Sequence, residues 1–244
     1  MNYQWNWTFF LDTAMSSDET YLDWLISGLG WTVAIALSAW VIALVLGSIV
    51  GTLRTAPNKL LATLANAWVE TFRNVPILVQ LFLWFFVFPE LLPRELSLWV
   101  KQDMPAKEFF TATIALGLFT SARVAEQVRA GIQSLPRGQR NAGLALGFTQ
   151  AQTYRFVVLP MAFRIIIPPL TSEFMNAFKN SAVAFAIGVM DLTFVSRQMV
   201  EESGRVIESL LAATLLYFLC AFLANRIMVF IERRVRVPGF IIAK

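Results

Sequence analysis

The sequence predicts an all-α, polytopic membrane protein with five transmembrane helices. Its 244 residues are 57% hydrophobic and 15% charged, whereas soluble domains average roughly 45–50% apolar and about 25% charged residues. The 30 residues 24–53 contain no Asp, Glu, Lys or Arg, and roughly 20 apolar residues suffice for a helix to cross a bilayer. The chain has no histidine and one cysteine, which excludes imidazole chemistry, Cys/His zinc sites and internal disulfides.

Four further apolar stretches complete the predicted set of spans. Two of them, 60–88 and 165–190, are interrupted by charges and prolines, and the last ends at a cluster of charged residues that marks an interface. A proline has no N–H to donate, so we expect the helix to bend or break at Pro76 and at the pair Pro168 and Pro169. The five predicted spans are residues 24–53, 60–88, 109–122, 165–190 and 209–231.

The distribution of basic residues predicts an outer N-terminus and an inner C-terminus. With five spans in this orientation, the inner segments hold 12 Lys and Arg residues and the outer segments hold five, as the positive-inside rule requires. The basic residues separate apolar stretches, so we expect membrane lipid around this chain and no nucleic acid as a partner. The predicted parts are an outer segment (1–23), a membrane domain (24–232) with an inner loop (123–160), and an inner basic tail (233–244).

The inner loop contains local signals for a sharp corner between two short helices. Pro136 suits the first turn of a helix, and Gly147 suits the left-handed position just past its end. Thr149 and Gln152 have the spacing of a capping box, which begins a second helix. Between these signals, residues 141–147 are small and apolar with no acidic residue, a surface that can fit into a groove on another protein.

The corner also carries a recognisable signature. Its pattern Asn141-Ala142-Gly143-x3-Gly147-x9-Val157-x-Leu159-Pro160 is similar to the Glu-Ala-Ala-x3-Gly-x9-Ile-x-Leu-Pro motif of permease subunits of ATP-binding-cassette (ABC) importers. Residues 72–80, 126–139 and 179–181 resemble the polar amino acid uptake branch, and within it the glutamate/aspartate permeases. The resemblance covers nearly the whole chain from the first span onward.

Two of the chain's departures from the signature, at Asn141 and Gly143, have expected consequences. Asn141 replaces the usual glutamate, which removes a salt bridge that this acid would make to a partner ATPase. Gly143 replaces the usual alanine, and we expect this glycine to loosen the helix in which it lies.

The resemblance implies a type I ABC importer transmembrane domain in a bacterial inner membrane. A cytoplasmic ABC ATPase dimer would bind ATP and Mg, a second similar permease subunit would complete the pathway, and a periplasmic amino-acid-binding protein would supply substrate. This chain lacks the Gly-x4-Gly-Lys-Ser/Thr motif, so we expect no cofactor bound to it. Its inner corner would be the coupling helix, with the coupling residues Arg137, Gly138, Arg140, Asn141, Ala142, Gly143, Gly147, Leu159 and Pro160.

Charged residues inside the weaker spans are candidates for the substrate pathway. Glu70 and Arg73 are three apart on one helical face, and we interpret them as an ion pair, with gating or substrate binding as the alternative. Glu173 and Lys179 lie about 600° apart around a helix, so we expect separate partners for them. The resemblance places the pathway near the fourth span, where Glu173 would meet an amino group and Lys179, next to Asn180, a carboxylate. Interhelical structure is the favoured interpretation of these residues, and substrate binding is the alternative.

Two other classes of function stay open at this point. A secondary carrier driven by an ion gradient needs acids inside the membrane, and Glu70 and Glu173 satisfy that requirement. A membrane enzyme working through carboxylates is disfavoured, because the chain lacks histidine and any cofactor motif. The sequence therefore favours a permease subunit that is not itself an enzyme and imports a polar amino acid, glutamate or aspartate.

Overall fold

The computed structural model describes residues 3–235, apart from the side chain of Arg137. These residues form helices and turns, with one isolated β-bridge between Thr13 and Thr20 and no β-strand. The predicted all-α class is confirmed for this part of the chain, and residues 236–244 of the predicted basic tail lie outside it. The α-helices are α1 (Tyr21–Leu53), α2 (Lys59–Asn74), α3 (Ile77–Phe82), α4 (Arg94–Leu98), α5 (Lys107–Ser134), α6 (Arg137–Ala145), α7 (Gln150–Thr153), α8 (Leu159–Ser181), α9 (Leu192–Ser203) and α10 (Val206–Val235).

Three helical segments of the described chain are long and apolar enough to cross a membrane. They are α1, the run Gln150–Ile187 that contains α8, and α10. A fourth candidate is the broken pair formed by α2 and the run Ile77–Leu91. Helix α5 contains the predicted span 109–122 and is 28 residues long, which corresponds to about 42 Å, but it is less apolar than the three segments above.

The prolines in the predicted spans have two different effects. Pro76 adopts φ −56° and ψ 139°, so helix α2 ends at Asn74 and a new helix begins at Ile77. Pro168 and Pro169 instead lie inside α8, which continues unbroken through them. Neighbouring helices and side chains can stabilise a membrane helix that has lost backbone hydrogen bonds to proline. The expected break therefore occurs at Pro76 and not at the second site.

The chain divides into two compact units. The first unit contains the described residues of 1–39, 76–116 and 176–222, and the second contains those of 40–75, 117–175 and 223–244. Two apolar clusters stabilise the first unit, one around Ile35 and Leu81 and the other around Trp24 and Met199. In the second unit Val69 packs with small residues of α5, which bury it almost completely.

The N-terminal segment of the first unit is attached to the beginning of α10. The Tyr3 hydroxyl and the Asn6 N–H donate hydrogen bonds to the carboxylate of Glu208, which is fully buried. The Arg205 guanidinium donates to the carbonyl oxygen of Gln4 at 3.0 Å. Because a buried carboxylate needs hydrogen-bond donors, these contacts hold the segment in a defined conformation next to the helix.

A buried acid in the first unit leads to a prediction about pH. Asp191 is the N-cap of α9 and accepts hydrogen bonds from the Phe194 N–H at 2.9 Å and the Tyr217 hydroxyl at 3.1 Å. Burial raises the pKa of Asp191 to about 6 from 3.8. A raised pKa means that the folded protein favours the protonated carboxyl of Asp191 more than the unfolded chain does. The resulting contribution to stability is complete below the pKa of the unfolded chain and is lost as the pH rises through the pKa of the folded protein.

We therefore expect Asp191 to make the folded protein about 1 kcal/mol less stable at pH 7 than at pH 5. The measurement is thermal unfolding of the purified protein in detergent at the two pH values, for the wild type and for Asp191→Asn. Asparagine can keep the helix cap but does not titrate, so its unfolding midpoint should change less between the two conditions. Equal changes in both proteins would contradict the prediction.

Candidate functional site

Helix α6 in the second unit begins and ends at the residues that the sequence indicates. Pro136 is its N-cap, one residue before the predicted first-turn position. Gly147 follows its end with φ +87°, and its N–H donates to the Leu144 carbonyl at 3.0 Å. The Phe148 N–H donates to the Gly143 carbonyl at 3.2 Å. These two bonds form a Schellman motif, which confirms the predicted left-handed position of Gly147.

The capping box at the beginning of α7 is also present. The Gln152 N–H donates to the Thr149 hydroxyl at 3.3 Å, and the Thr149 N–H donates to the Gln152 side chain at 2.8 Å. These reciprocal bonds satisfy two backbone donors at the helix end. Helices α6 and α7 therefore meet at a corner whose two sides are both fixed by local hydrogen bonds.

Gly143 has a packing role that differs from the sequence expectation. A Cβ atom at this position would lie 2.9 Å from Cγ2 of Thr153, which is fully buried and donates its hydroxyl to the Thr149 carbonyl at 3.0 Å. The missing side chain allows α6 to pack closely against α7. The structure gives this glycine a role in packing beside the expected effect on the helix, because its missing side chain brings the two sides of the corner together.

Most of the predicted coupling residues are exposed on this corner. Gly143 is buried and Leu159 is half-buried, while the side chain of Arg137 lies outside the described structure. Large apolar side chains that the sequence reasoning did not single out accompany them, including Leu146 at 78% exposure and Phe156 at 59%. The sequence could have identified Leu146 and Phe156, because large apolar residues on a loop that is expected to face water indicate a contact surface. The exposed coupling candidates are Gly138, Arg140, Asn141, Ala142, Gly147 and Pro160.

A hydrogen bond connects the corner to the end of α1. The Tyr154 hydroxyl donates to the carbonyl oxygen of Thr55 at 2.8 Å, two residues beyond the helix. The guanidinium of Arg140 lies 6.0 Å from the centre of the Tyr154 ring. The corner is therefore attached to the rest of the second unit through a side chain that the motif alone does not identify.

The predicted ion pair between Glu70 and Arg73 is wrong. Nη1 of Arg73 lies 3.1 Å from Oε1 of Glu126 on α5, and Glu70 is exposed and makes no ion pair within 4.0 Å in the described part of the chain. Arg73 pairs with an acid 53 residues away because the end of α2 lies beside α5. The sequence could not identify this pair, since Arg73 and Glu126 come from distant segments.

A second ion pair contributes to an open cavity of the second unit. Nη1 of Arg123 lies 3.9 Å from Oε2 of Glu173, whose side chain is 10% exposed. The same cavity is lined by Arg73 and Glu126, so the structure brings two positive and two negative side chains together. The cavity thus offers both charges to a ligand, and it contains two of the predicted substrate-pathway residues, Arg73 and Glu173.

The remaining two pathway candidates belong to the first unit, at the end of α8. Lys179 is exposed. Asn180 is half-buried and lines a small cavity that also contains the apolar side chains of Ile35 and Leu81. Asn180 therefore lies among apolar side chains, and Lys179 lies on the open surface.

Comparisons with known proteins identify a family and several relatives. Residues 43–237 match the family described as binding-protein-dependent transport system inner membrane component. The chain is 48% identical over 241 residues to the glutamate/aspartate import permease protein GltJ of Escherichia coli strain K12, a match that covers 98% of each protein. It is 32% identical to the glutamate/aspartate import permease protein GltK of Escherichia coli O6:H1, across 90% of this chain and 96% of that one. The crystal structure of an amino acid ABC transporter superposes with a TM-score of 0.75 and 30% identity, over 88% of this chain and 95% of that chain.

Proposed function

Because the chain belongs to the family of binding-protein-dependent transport system inner membrane components, we propose that it is the permease subunit of an ATP-driven importer of glutamate and aspartate. The observation that carries this proposal is the 48% identity to a glutamate/aspartate import permease across 98% of both chains. The chain is an inner membrane subunit and not an enzyme, since ABC importers carry their ATPase on a separate subunit.

The proposed topology has five spans, with the N-terminus outside and the C-terminus inside. Helices α1, α8 and α10, the broken pair of α2 with Ile77–Leu91, and α5 supply the five crossings. The excess of basic residues on the inner segments supports this orientation. In this arrangement residues 1–23 are periplasmic, residues 24–232 form the membrane domain, and the loop 123–160 and the tail 233–244 are cytoplasmic.

We assign four classes of partner to this subunit. A cytoplasmic ATPase dimer binds ATP and Mg, and a periplasmic binding protein delivers the amino acid. A second permease subunit completes the pathway, and the match to two differently named glutamate/aspartate permeases supports this part of the proposal. Membrane lipid surrounds the apolar helices.

The corner formed by α6 and α7 is the proposed contact with the ATPase. Its exposed surface combines arginine and large apolar side chains, and such a surface suits burial in a protein cleft. The Schellman motif and the capping box keep the corner rigid, so a displacement imposed by the ATPase moves it as a unit. Asn141 leaves this surface without the acid that the family signature has at that position.

The charged cavity of the second unit is the proposed inner part of the substrate pathway. Glutamate and aspartate each carry two carboxylates and one ammonium group. Arg73 and Arg123 provide guanidinium groups for the carboxylates, and Glu173 provides a carboxylate for the ammonium group. Glu70 remains a pathway candidate on α2, and Lys179 and Asn180 remain pathway candidates in the first unit.

The test of this function is ATP-dependent uptake by the complete assembly. The chain is reconstituted in liposomes with the second permease subunit, the ATPase and the binding protein, and uptake of radiolabelled glutamate is measured. We expect uptake that requires ATP, stops with an ATPase-inactive partner and persists when ionophores collapse ion gradients. Uptake that persists with the inactive ATPase and stops with ionophores would instead indicate a secondary carrier.

A further inference from the structure

We propose that Glu126 is a positioning residue that transmits movement of the corner to the inner ends of α1 and α2. The inference rests on the proposed import function and adds to it a specific route for the movement. The route runs through three side chains of the second unit, Tyr154, Arg54 and Glu126, and it ends at Arg73.

The first link joins the corner to the end of α1. Tyr154 follows α7 directly, and its hydroxyl donates to the Thr55 carbonyl at 2.8 Å. Thr55 is adjacent to Arg54, and its own hydroxyl donates to the Thr52 carbonyl at 2.8 Å. A displacement of Tyr154 therefore acts on the backbone one residue away from Arg54.

The second link is the side chain of Arg54. It is only 7% exposed, and its Nη1 lies 3.0 Å from Oε2 of Glu126. Its Nε donates to Oδ1 of Asn66 on α2 at 2.7 Å. A buried guanidinium cannot leave its carboxylate without a large loss of free energy, so Arg54 and Glu126 are expected to move together.

The third link uses the other oxygen of the same carboxylate. Oε1 of Glu126 lies 3.1 Å from Nη1 of Arg73, in the last turn of α2. Arg129 approaches Oε2 only to 3.8 Å and is more exposed than Arg54. Glu126 therefore connects α5 to residues at the ends of α1 and α2. Its Oε2 contacts Arg54 just after α1, and its Oε1 contacts Arg73 in α2.

The backbones around this carboxylate are in close contact as well. A Cβ atom at Gly51 would lie 2.7 Å from the Ala125 carbonyl oxygen and 2.7 Å from Cβ of Val128. Helices α1 and α5 are thus in close contact at Ala125 and Val128, which flank Glu126 in the sequence. Side chains between closely packed backbones have little freedom to absorb a displacement, which suits transmission of movement.

A residue with a purely structural role at the same place would behave differently from a positioning residue. Replacing a structural residue lowers the amount of folded assembly, but each remaining complex still transports a normal number of molecules per ATP. Removing a transmitting group leaves ATP hydrolysis running while fewer molecules are moved per cycle. The ratio of substrate imported to ATP hydrolysed separates the two roles.

The experiment measures that ratio in proteoliposomes that contain the complete importer. For Glu126→Gln we expect retained ATP hydrolysis and a roughly five- to tenfold lower ratio, a change of the size that couplings between sites produce. Glu126→Asp keeps the charge and should restore part of the ratio. Tyr154→Phe should lower it in the same direction, and the double variant should be no worse than Glu126→Gln, because both changes interrupt one route.

The control removes an exposed ion pair of the first unit. Glu201→Gln breaks the contact of Glu201 with Arg197, in which Nη2 lies 3.5 Å from Oε1, and it should leave the ratio unchanged. If Glu126→Gln does not assemble, Tyr154→Phe tests the first link without leaving the buried Arg54 unpaired, and a smaller decrease in the ratio is expected.

A normal ratio in the Glu126→Gln assembly, or in Tyr154→Phe where that assembly does not form, would overturn the inference. So would activity that falls only in proportion to the amount of assembled complex. Failure of the wild-type assembly to import glutamate with ATP would refute the proposed function instead, so the two failures are distinguishable.

Discussion

Replacing Gly147 by valine is expected to uncouple ATP hydrolysis from import while the chain still inserts into the membrane. Gly147 has φ +87°, a conformation that β-branched residues strongly disfavour. A Cβ atom there would have no neighbour within 4 Å, so the effect would come from the backbone and not from a clash. Valine should open the Schellman motif and displace the corner, and we expect the ratio of glutamate imported to ATP hydrolysed to fall about tenfold or more.

Asparagine is the matched control for this position. It adopts the left-handed conformation more readily than other non-glycine residues, so Gly147→Asn should keep most of the coupling. Both variants are measured as reconstituted assemblies after the content of each subunit has been determined. Unchanged transport in Gly147→Val would show that the corner does not need this turn.

Among the substitutions proposed here, Gly47→Val and Gly51→Val are expected to lower the stability of the folded chain most. The two glycines lie one turn apart on the same face of α1, and both pack against α5 in the second unit. A Cβ atom would lie 2.8 Å from the Ser121 carbonyl oxygen at Gly47 and 2.7 Å from the Ala125 carbonyl oxygen at Gly51. Backbone atoms cannot move aside as a side-chain end can, and overpacking typically costs about 1–3 kcal/mol. The measurement is the unfolding midpoint of the purified chain in detergent.

Gly30 on the same helix provides the control for that experiment. It is exposed, and a Cβ atom there would have no neighbour within 4 Å. Gly30→Val should therefore unfold at nearly the wild-type temperature. Similar midpoints for Gly30→Val and Gly51→Val would mean that close packing of α1 against α5 does not contribute to stability.

Local features of the proposed coupling site could be predicted from the sequence. The left-handed Gly147 and the capping box of Thr149 with Gln152 depend on contacts within a few residues, and the structure confirms both. The packing role of Gly143 could not be predicted from its backbone flexibility alone. The neighbour that determines its role, Thr153, lies on the next helix.

Charged contacts were harder to predict than helix ends. Two charges three residues apart on a helix form a pair only when no better partner is available, and Arg73 has one in Glu126. Glu126 in turn is shared with Arg54, which the sequence places in a different segment from both. Ion pairs between helices depend on which helix faces which, and hydropathy and residue spacing do not contain that information.

The amino-acid sequence by itself determined that this chain is helical and built of long apolar segments, and it determined where the helices of the corner begin and end. Those properties follow from hydrophobic runs and from hydrogen bonds between residues close in the chain. Only the tertiary structure decided the partners of Arg54, Arg73 and Glu173 and the close approach of Gly47 and Gly51 to α5. These contacts join residues tens of positions apart, and they form only when the helices pack.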